Sequence, residues 1–171
     1  MKILRLAPAL VAATLTLAQS TPSPGLPPLP SVNHDFDFWI GDWAVTNQAT
    51  GKLAGHNLIE VKHNGRVLVE NYTTPGTYTG MSLNAYDGGT KRWLQCWMDN
   101  SGGVLDLFGG LVEGKMVMTG ETALAAGGRQ LERITWTPPP DGTVRQHWEQ
   151  SADGGKTWTT AFDGLYRRKS G

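Results

Sequence analysis

The stretch Met81-Ser82-Leu83-Asn84-Ala85-Tyr86-Asp87-Gly88-Gly89-Thr90-Lys91-Arg92-Trp93-Leu94-Gln95-Cys96-Trp97-Met98 decides the fold. Aliphatic residues alternate with polar or aromatic ones, an Asp-Gly-Gly group interrupts, and the alternation resumes. A period of two sends successive side chains to opposite faces of an extended strand, whereas a helix repeats its apolar positions every three to four residues. Glycine supplies the positive φ of a tight reversal, and Asp-Gly is among the strongest short-range hairpin signals. The stretch reads as two antiparallel strands joined by a turn.

The same punctuation recurs on both sides of it. Turn signals stand at Thr50-Gly51, Asn64-Gly65, Pro75-Gly76, Asp87-Gly88-Gly89, Ser101-Gly102-Gly103, Glu113-Gly114, Gly127-Gly128, Asp141-Gly142 and Asp153-Gly154-Gly155, and these nine delimit ten segments of strand length. Lys91 to Met98 and Leu131 to Thr137 mix aromatic, β-branched and polar residues at period two, and no amphipathic helical pattern occurs between His34 and the C-terminus. A spacing of roughly eleven to fourteen residues leaves no room for crossover helices, so neighbouring strands should pair antiparallel as a meander. Closing about ten such strands removes both vulnerable edges and leaves an interior wide enough for a ligand. The expectation is therefore an all-β antiparallel meander closed into a barrel. A two-sheet sandwich is the alternative, but it favours long Greek-key returns that the even spacing does not show.

The N-terminal residues read as an address. Lys2 and Arg5 precede an apolar run from Leu6 to Leu17, and Ala18-Gln19-Ser20 offers a small-x-small cleavage site, the pattern of a secretory signal peptide over residues 1–20. The run is too short to span a bilayer and contains Pro8. No cysteine stands directly after the cleavage site, which argues against a lipid-anchored lipoprotein. Residues 21–33 hold five prolines and Gly25 and read as an extended tether, leaving 34–171 as a single domain. The expected destination is secreted or periplasmic, with no membrane insertion after cleavage. Beyond residue 20 there remain 13 basic and 15 acidic side chains with no long block of either sign, which excludes the concentrated basic footprint of a nucleic-acid binder. Cys96 is the lone cysteine, so no intramolecular disulfide is available, and it reads as a small hydrophobe.

Several motifs carry a resemblance. Gly41-Asp42-Trp43, within Asp35-Phe36-Asp37-Phe38-Trp39-Ile40-Gly41-Asp42-Trp43, is a G-x-W on the first strand and resembles the opening strand of the calycin superfamily, the lipocalin-like barrels. The resemblance implies structural roles for Gly41 and Trp43, with an arginine from the last strand, Arg167 of Gly164-Leu165-Tyr166-Arg167-Arg168, packed across the indole. Together with Trp97-Met98-Asp99-Asn100-Ser101-Gly102 and Gly120-Glu121, the opening stretch is also similar to a bacterial family known as domain of unknown function 1579, which implies the barrel and supplies no chemistry. Ser151-Ala152-Asp153-Gly154-Gly155-Lys156-Thr157-Trp158 resembles the Asp-box pattern of sialidases and other secreted β proteins. There the aspartate and serine bond turn backbone and the tryptophan packs beneath, so Asp153 and Trp158 are expected to stabilise a hairpin; a single copy argues against a propeller.

Chemistry-bearing side chains are few. His56 and His63 differ by an odd number and would face opposite ways on a regular strand, and His34 with Asp35 and Asp37 reads as a solvated cluster, so no metal site is expected. His147, mid-strand in Val144-Arg145-Gln146-His147-Trp148-Glu149, resembles the axial haem ligand of nitrobindin-like barrels, but no further haem motif accompanies it and no cofactor is expected. No G-x-S-x-G elbow or H-E-x-x-H helix occurs.

Periodicity leaves two arrangements of the faces open. With the aliphatic face of Met81, Leu83, Ala85, Leu94, Cys96 and Met98 inward, the barrel is filled and its tryptophans decorate the outside as an interaction surface. With the aromatic-polar face inward, Asn84, Gln95 and Trp97, joined by Gln146 and Trp148, line a pocket for a small, partly apolar molecule. The second arrangement is the one expected, with a small-molecule ligand as partner and no catalytic residue assigned. An acid-base enzyme using Arg133, His147 or Glu149 on an envelope metabolite is the alternative, and it requires those side chains to face a cavity. Nothing in the sequence sets the oligomeric state.

Overall fold

A computed structural model describes residues 30–124 and 127–169. The signal-peptide reading of residues 1–20 and most of the proline-rich stretch lie outside them. From Ser31 onward the chain forms one compact unit. It makes a short 3-10 turn, Asp37–Trp39, and then runs as ten strands: β1 (Gly41–Asn47), β2 (Leu53–Lys62), β3 (Val67–Thr73), β4 (Thr79–Asp87), β5 (Arg92–Asp99), β6 (Val104–Val112), β7 (Lys115–Ala123), β8 (Arg129–Thr137), β9 (Val144–Ser151) and β10 (Thr159–Arg168). Each strand pairs antiparallel with its sequence neighbour, and β10 returns to pair with β1, closing the barrel in meander order. The β6–β7 reversal shows how the turn chemistry sets register. Val112 pairs with Lys115 across Glu113 at φ 49° and Gly114 at φ 77°, the doubly left-handed geometry that matches the twist of a hairpin.

One end of the barrel is plugged. Phe36 stacks on Trp39 at 4.9 Å between ring centroids and meets Trp93 and Trp136 edge-on at 5.6 and 5.2 Å. All four rings are essentially inaccessible to solvent. Trp93 opens β5 and Trp136 lies near the end of β8, so the plug sits where β1 begins. The 3-10 turn is thereby folded into the barrel mouth as its floor. Trp43 stands beside it, its indole Nε1 donating to the Trp39 carbonyl at 2.9 Å and the guanidinium of Arg168 lying 4.4 Å over its ring. Register explains why Arg168 is the arginine concerned and corrects the expectation for Arg167. Trp43 pairs with Arg168, whereas Arg167 pairs with Ala44 and points out to solvent. Gly41, at φ 150°, is needed here because a Cβ would collide with the Arg168 guanidinium.

The aromatic-polar face looks inward. Ser82, Asn84, Trp93 and Gln95 are buried, while Met81, Leu83 and Met98 are exposed on the outside. The strand tryptophans Trp43, Trp93, Trp97, Trp136 and Trp148 all stand on the inward face, so the arrangement with outward strand tryptophans does not occur. The outer face is aliphatic over β4 to β6, but β8 to β10 carry Arg133 with Glu149 and Arg145 with Asp163, so no closed apolar band encircles the barrel. In the hairpin after β9, Ser151 Oγ donates to Asp153 at 2.8 Å, Asp153 accepts from the Lys156 and Thr157 amides at 2.9 Å, and the Trp158 indole closes on the Gly155 carbonyl. Those bonds hold the Asp153 carboxyl down at about 2, led by the Thr157 hydroxyl.

Candidate functional site

Above the aromatic floor the interior opens into a cavity of about 360 Å³. Its walls are Tyr72, Tyr78, Trp97, Leu105, Ile134, Trp148 and Phe162, and its polar groups are Glu70, Gln95, Gln146 and Tyr166 with Thr74 near the rim. Apart from the tyrosine phenols, Glu70 is the sole titratable side chain of the lining, which contains no lysine, arginine or histidine. The wall residues lie toward the starts of β2, β4 and β10 and the ends of β3, β5 and β9, the end of the barrel opposite the plug. The cavity therefore reaches solvent on that side, at the exposed Tyr78 and Ala161.

Room for it comes from missing side chains. Gly55, Gly80 and Gly164 share the inward face with Asn57, Ser82 and Tyr166, and each lies beneath an aromatic ring: Tyr72, Trp97 and Phe162 respectively. A Cβ at any of the three would overlap the ring above it. A register shift between Thr160 and Phe162 of β10 brings Phe162 opposite Trp148, which puts both rings on the inner wall. At the rim, Asp99 accepts from Tyr78 Oη at 3.0 Å and from Trp97 Nε1 at 3.4 Å, while Ser101 and the Gly103 amide hold the same carboxylate and keep its pKa far below the usual range. The run Trp97 to Gly102 is thus one device: a turn that fixes two wall rings.

The base of the cavity is a connected polar layer. Gln95 Nε2 donates to Asn84 Oδ1 at 2.8 Å, Asn84 Nδ2 to Ser82 Oγ at 2.8 Å, and Ser82 Oγ to Glu70 Oε2 at 2.6 Å. From the other side Asn57 Nδ2 donates to Glu70 Oε1 at 2.7 Å and lies 3.3 Å from Tyr166 Oη, which in turn donates to Gln146 Oε1. Glu70 is buried, and loss of water pushes its carboxyl up to about 7, against the opposing pull of the Ser82 and Asn57 bonds. Burial also lifts the Tyr72 phenol to about 12 and that of Tyr166 well above the ordinary value, with the Glu70 charge adding to both. Both phenols accordingly stay neutral, and Glu70 is the group that changes charge near neutrality.

A second buried carboxylate serves a different purpose. Glu132 on β8 accepts from Trp148 Nε1 at 2.7 Å, Thr122 Oγ1 at 2.6 Å, Gln130 Nε2 at 3.0 Å and Gln150 Nε2 at 3.3 Å. Three donors converge on Oε1 and the Trp148 indole takes Oε2, so Glu132, which does not line the cavity, orients the Trp148 ring.

Of the residues singled out from sequence, Gln95, Trp97, Gln146 and Trp148 stand on the cavity wall, and Asn84 lies one bond behind Gln95 in the polar layer. Arg133, His147 and Glu149 do not join them. They point outward from β8 and β9, where Arg133 bonds Glu149 at 3.0 Å and lies 4.0 Å over the Trp158 ring, and His147 meets Thr160 at 3.1 Å. These three side chains therefore take no part in a reaction inside the cavity, and His147 is not placed to hold a haem there; both expectations for these residues are corrected. Sequence reading missed Glu70, Asn57, Ser82 and Tyr166. The available signal was register: a hairpin through Pro75-Gly76 sets Glu70 opposite Ser82.

Compared with known proteins, the chain matches no family model and no curated protein.

Proposed function

We propose that this chain binds a small, partly apolar molecule in the interior of its barrel and does so after export. The observation that carries the reading is the cavity: apolar and aromatic walls, a few polar groups gathered at the inner end, and one side open to solvent. That composition is the usual makeup of a small-molecule site. Trp97 and Trp148 provide ring surface, Gln95 and Gln146 provide hydrogen-bonding groups, and Asn84 orients Gln95. At about 360 Å³ the cavity sits at the small end of ligand pockets, roughly 300–1,000 Å³, which favours a ring with a short chain over a long-chain lipid. Export rests on the charged start, apolar run and cleavage site of residues 1–20. Organic extraction of the purified chain followed by mass spectrometry, with uptake of a neutral, environment-sensitive naphthalene dye as the in vitro counterpart, tests the reading. A copurifying molecule near the expected size and dye uptake are the expected results; a barrel that yields no molecule and takes up no dye refutes it.

A further inference from the structure

We infer that the ligand carries a positively charged nitrogen, an ammonium group on an aromatic or short aliphatic body, which seats against Glu70 at the inner end of the cavity. The inference rests on the cavity-binding reading and adds the chemical class. Its first support is the charge inventory of the lining, where Glu70 stands with no basic side chain on the wall and no ion-pair partner among the described residues. Its second is the direction of the hydrogen bonds. Gln95, Asn84 and Ser82 donate in sequence toward one oxygen of Glu70, and Asn57 donates to the other. Donors on both oxygens suit the ionised carboxylate, which only accepts; a protonated carboxyl sets its own O–H against one of them.

The site is also short of donors. A carboxylate has about four acceptor positions, and the protein fills two of those on Glu70. Asn57 Oδ1, buried behind the cavity wall, has no hydrogen-bond partner of its own. An ammonium group brings three N–H donors to the unfilled positions of Glu70 and neutralises the buried charge. Around it stand the Tyr72 and Trp97 rings, 6.4 Å apart between centroids, and aromatic faces attract cations. A carboxylate or phosphate ligand meets the opposite: a negative group, and no cation to receive it.

The groups facing Glu70 can be named strand by strand. Tyr72 follows it on β3 and Tyr166 lies on β10, both neutral through the physiological range, while β2, β4 and β5 present only Asn57, Ser82, Asn84 and Gln95. Affinity for an ammonium ligand therefore rises as Glu70 ionises, from pH 5 toward pH 8.5, a range over which an alkylamine stays protonated with its pKa near about 10.

The test compares 2-phenylethylamine, 2-phenylethanol and 3-phenylpropionate as competitors of the neutral naphthalene dye on the full chain, with tryptophan fluorescence as a second readout. The expected result is binding of the amine at least tenfold tighter than the alcohol at pH 8, a smaller preference at pH 5, and the carboxylate weakest. In Glu70→Gln the advantage of the amine over the alcohol should disappear, and so should the pH dependence of that advantage. The selectivity series on the unmodified chain stands even if that variant folds poorly. Dye uptake without preference for the amine overturns the ammonium assignment and leaves the cavity reading in place. Absence of dye uptake by a barrel that also yields no copurifying molecule overturns both.

Discussion

Replacing Glu70 with glutamine should change how the barrel's stability depends on pH, by an amount the structure allows to be worked out. The carboxyl has an ordinary value of 4.5 and about 7 in the fold. Between those values the native state holds a proton that the unfolded chain has released, so stability falls as pH rises through the window and levels off above about 7. At about 1.4 kcal/mol per tenfold change in proton affinity the full effect is about 3 kcal/mol, most of which falls between pH 5 and pH 8. Glutamine has the same shape and no titration. The variant should therefore gain on the parent by about 2–3 kcal/mol over that interval, whatever constant offset its altered hydrogen bonds introduce. Urea titrations of both proteins at pH 5 and pH 8, followed by circular dichroism, read this as a relative midpoint shift of roughly 1–2 M. Taking the difference between the two proteins cancels the contribution of the histidines and surface carboxylates. Midpoints that move in parallel within about 0.3 M would show that ionising Glu70 costs the fold nothing, and the burial argument would fail.

Three further outcomes follow from the geometry. Gly80→Val sets a branched side chain where the Trp97 ring lies, and it should reduce dye uptake at least tenfold for a stability loss of about 1–3 kcal/mol, checked by fluorescence titration beside a urea midpoint. Arg168→Ala should lose about 1–2 kcal/mol through the missing guanidinium over Trp43, whereas Arg167→Ala should stay within about 0.5 kcal/mol of the parent in the same denaturation experiment. His147→Ala and Arg133→Ala remove outward side chains and should leave dye affinity within about twofold; a tenfold loss in either would place the ligand outside the barrel.

Much of the architecture was legible because one rule, alternation between glycine turns, acts along the whole chain. The hairpin from Met81 to Met98 shows both what that rule delivers and what it leaves open. It separates Ser82, Asn84, Gln95 and Trp97 from Met81, Leu83, Cys96 and Met98, and a ten-stranded interior has space for the polar set. The same parity already sets His147 and Glu149 against Gln146 and Trp148, so the outward position of the first pair is implicit in the inward position of the second. Glu70 was hidden for a different reason. In Val67-Leu68-Val69-Glu70-Asn71-Tyr72-Thr73 both phases begin with aliphatic residues, and only pairing with Ser82 on the next strand shows which phase is inside. Arg167 and Arg168 differ by a single step, and a single step reverses the face. The polar layer around Glu70 joins β2, β3, β4, β5, β9 and β10, and contacts of that range are a property of closure that no local pattern contains.

The aromatic floor built from Phe36, Trp39, Trp93 and Trp136 has a bearing on traffic. With that end sealed among the described residues, a ligand bound as proposed would enter and leave by one doorway. Whatever part goes down first is the last to come out. Its trailing end would lie at the brim beside Tyr78, where a second molecule would meet it before its buried head.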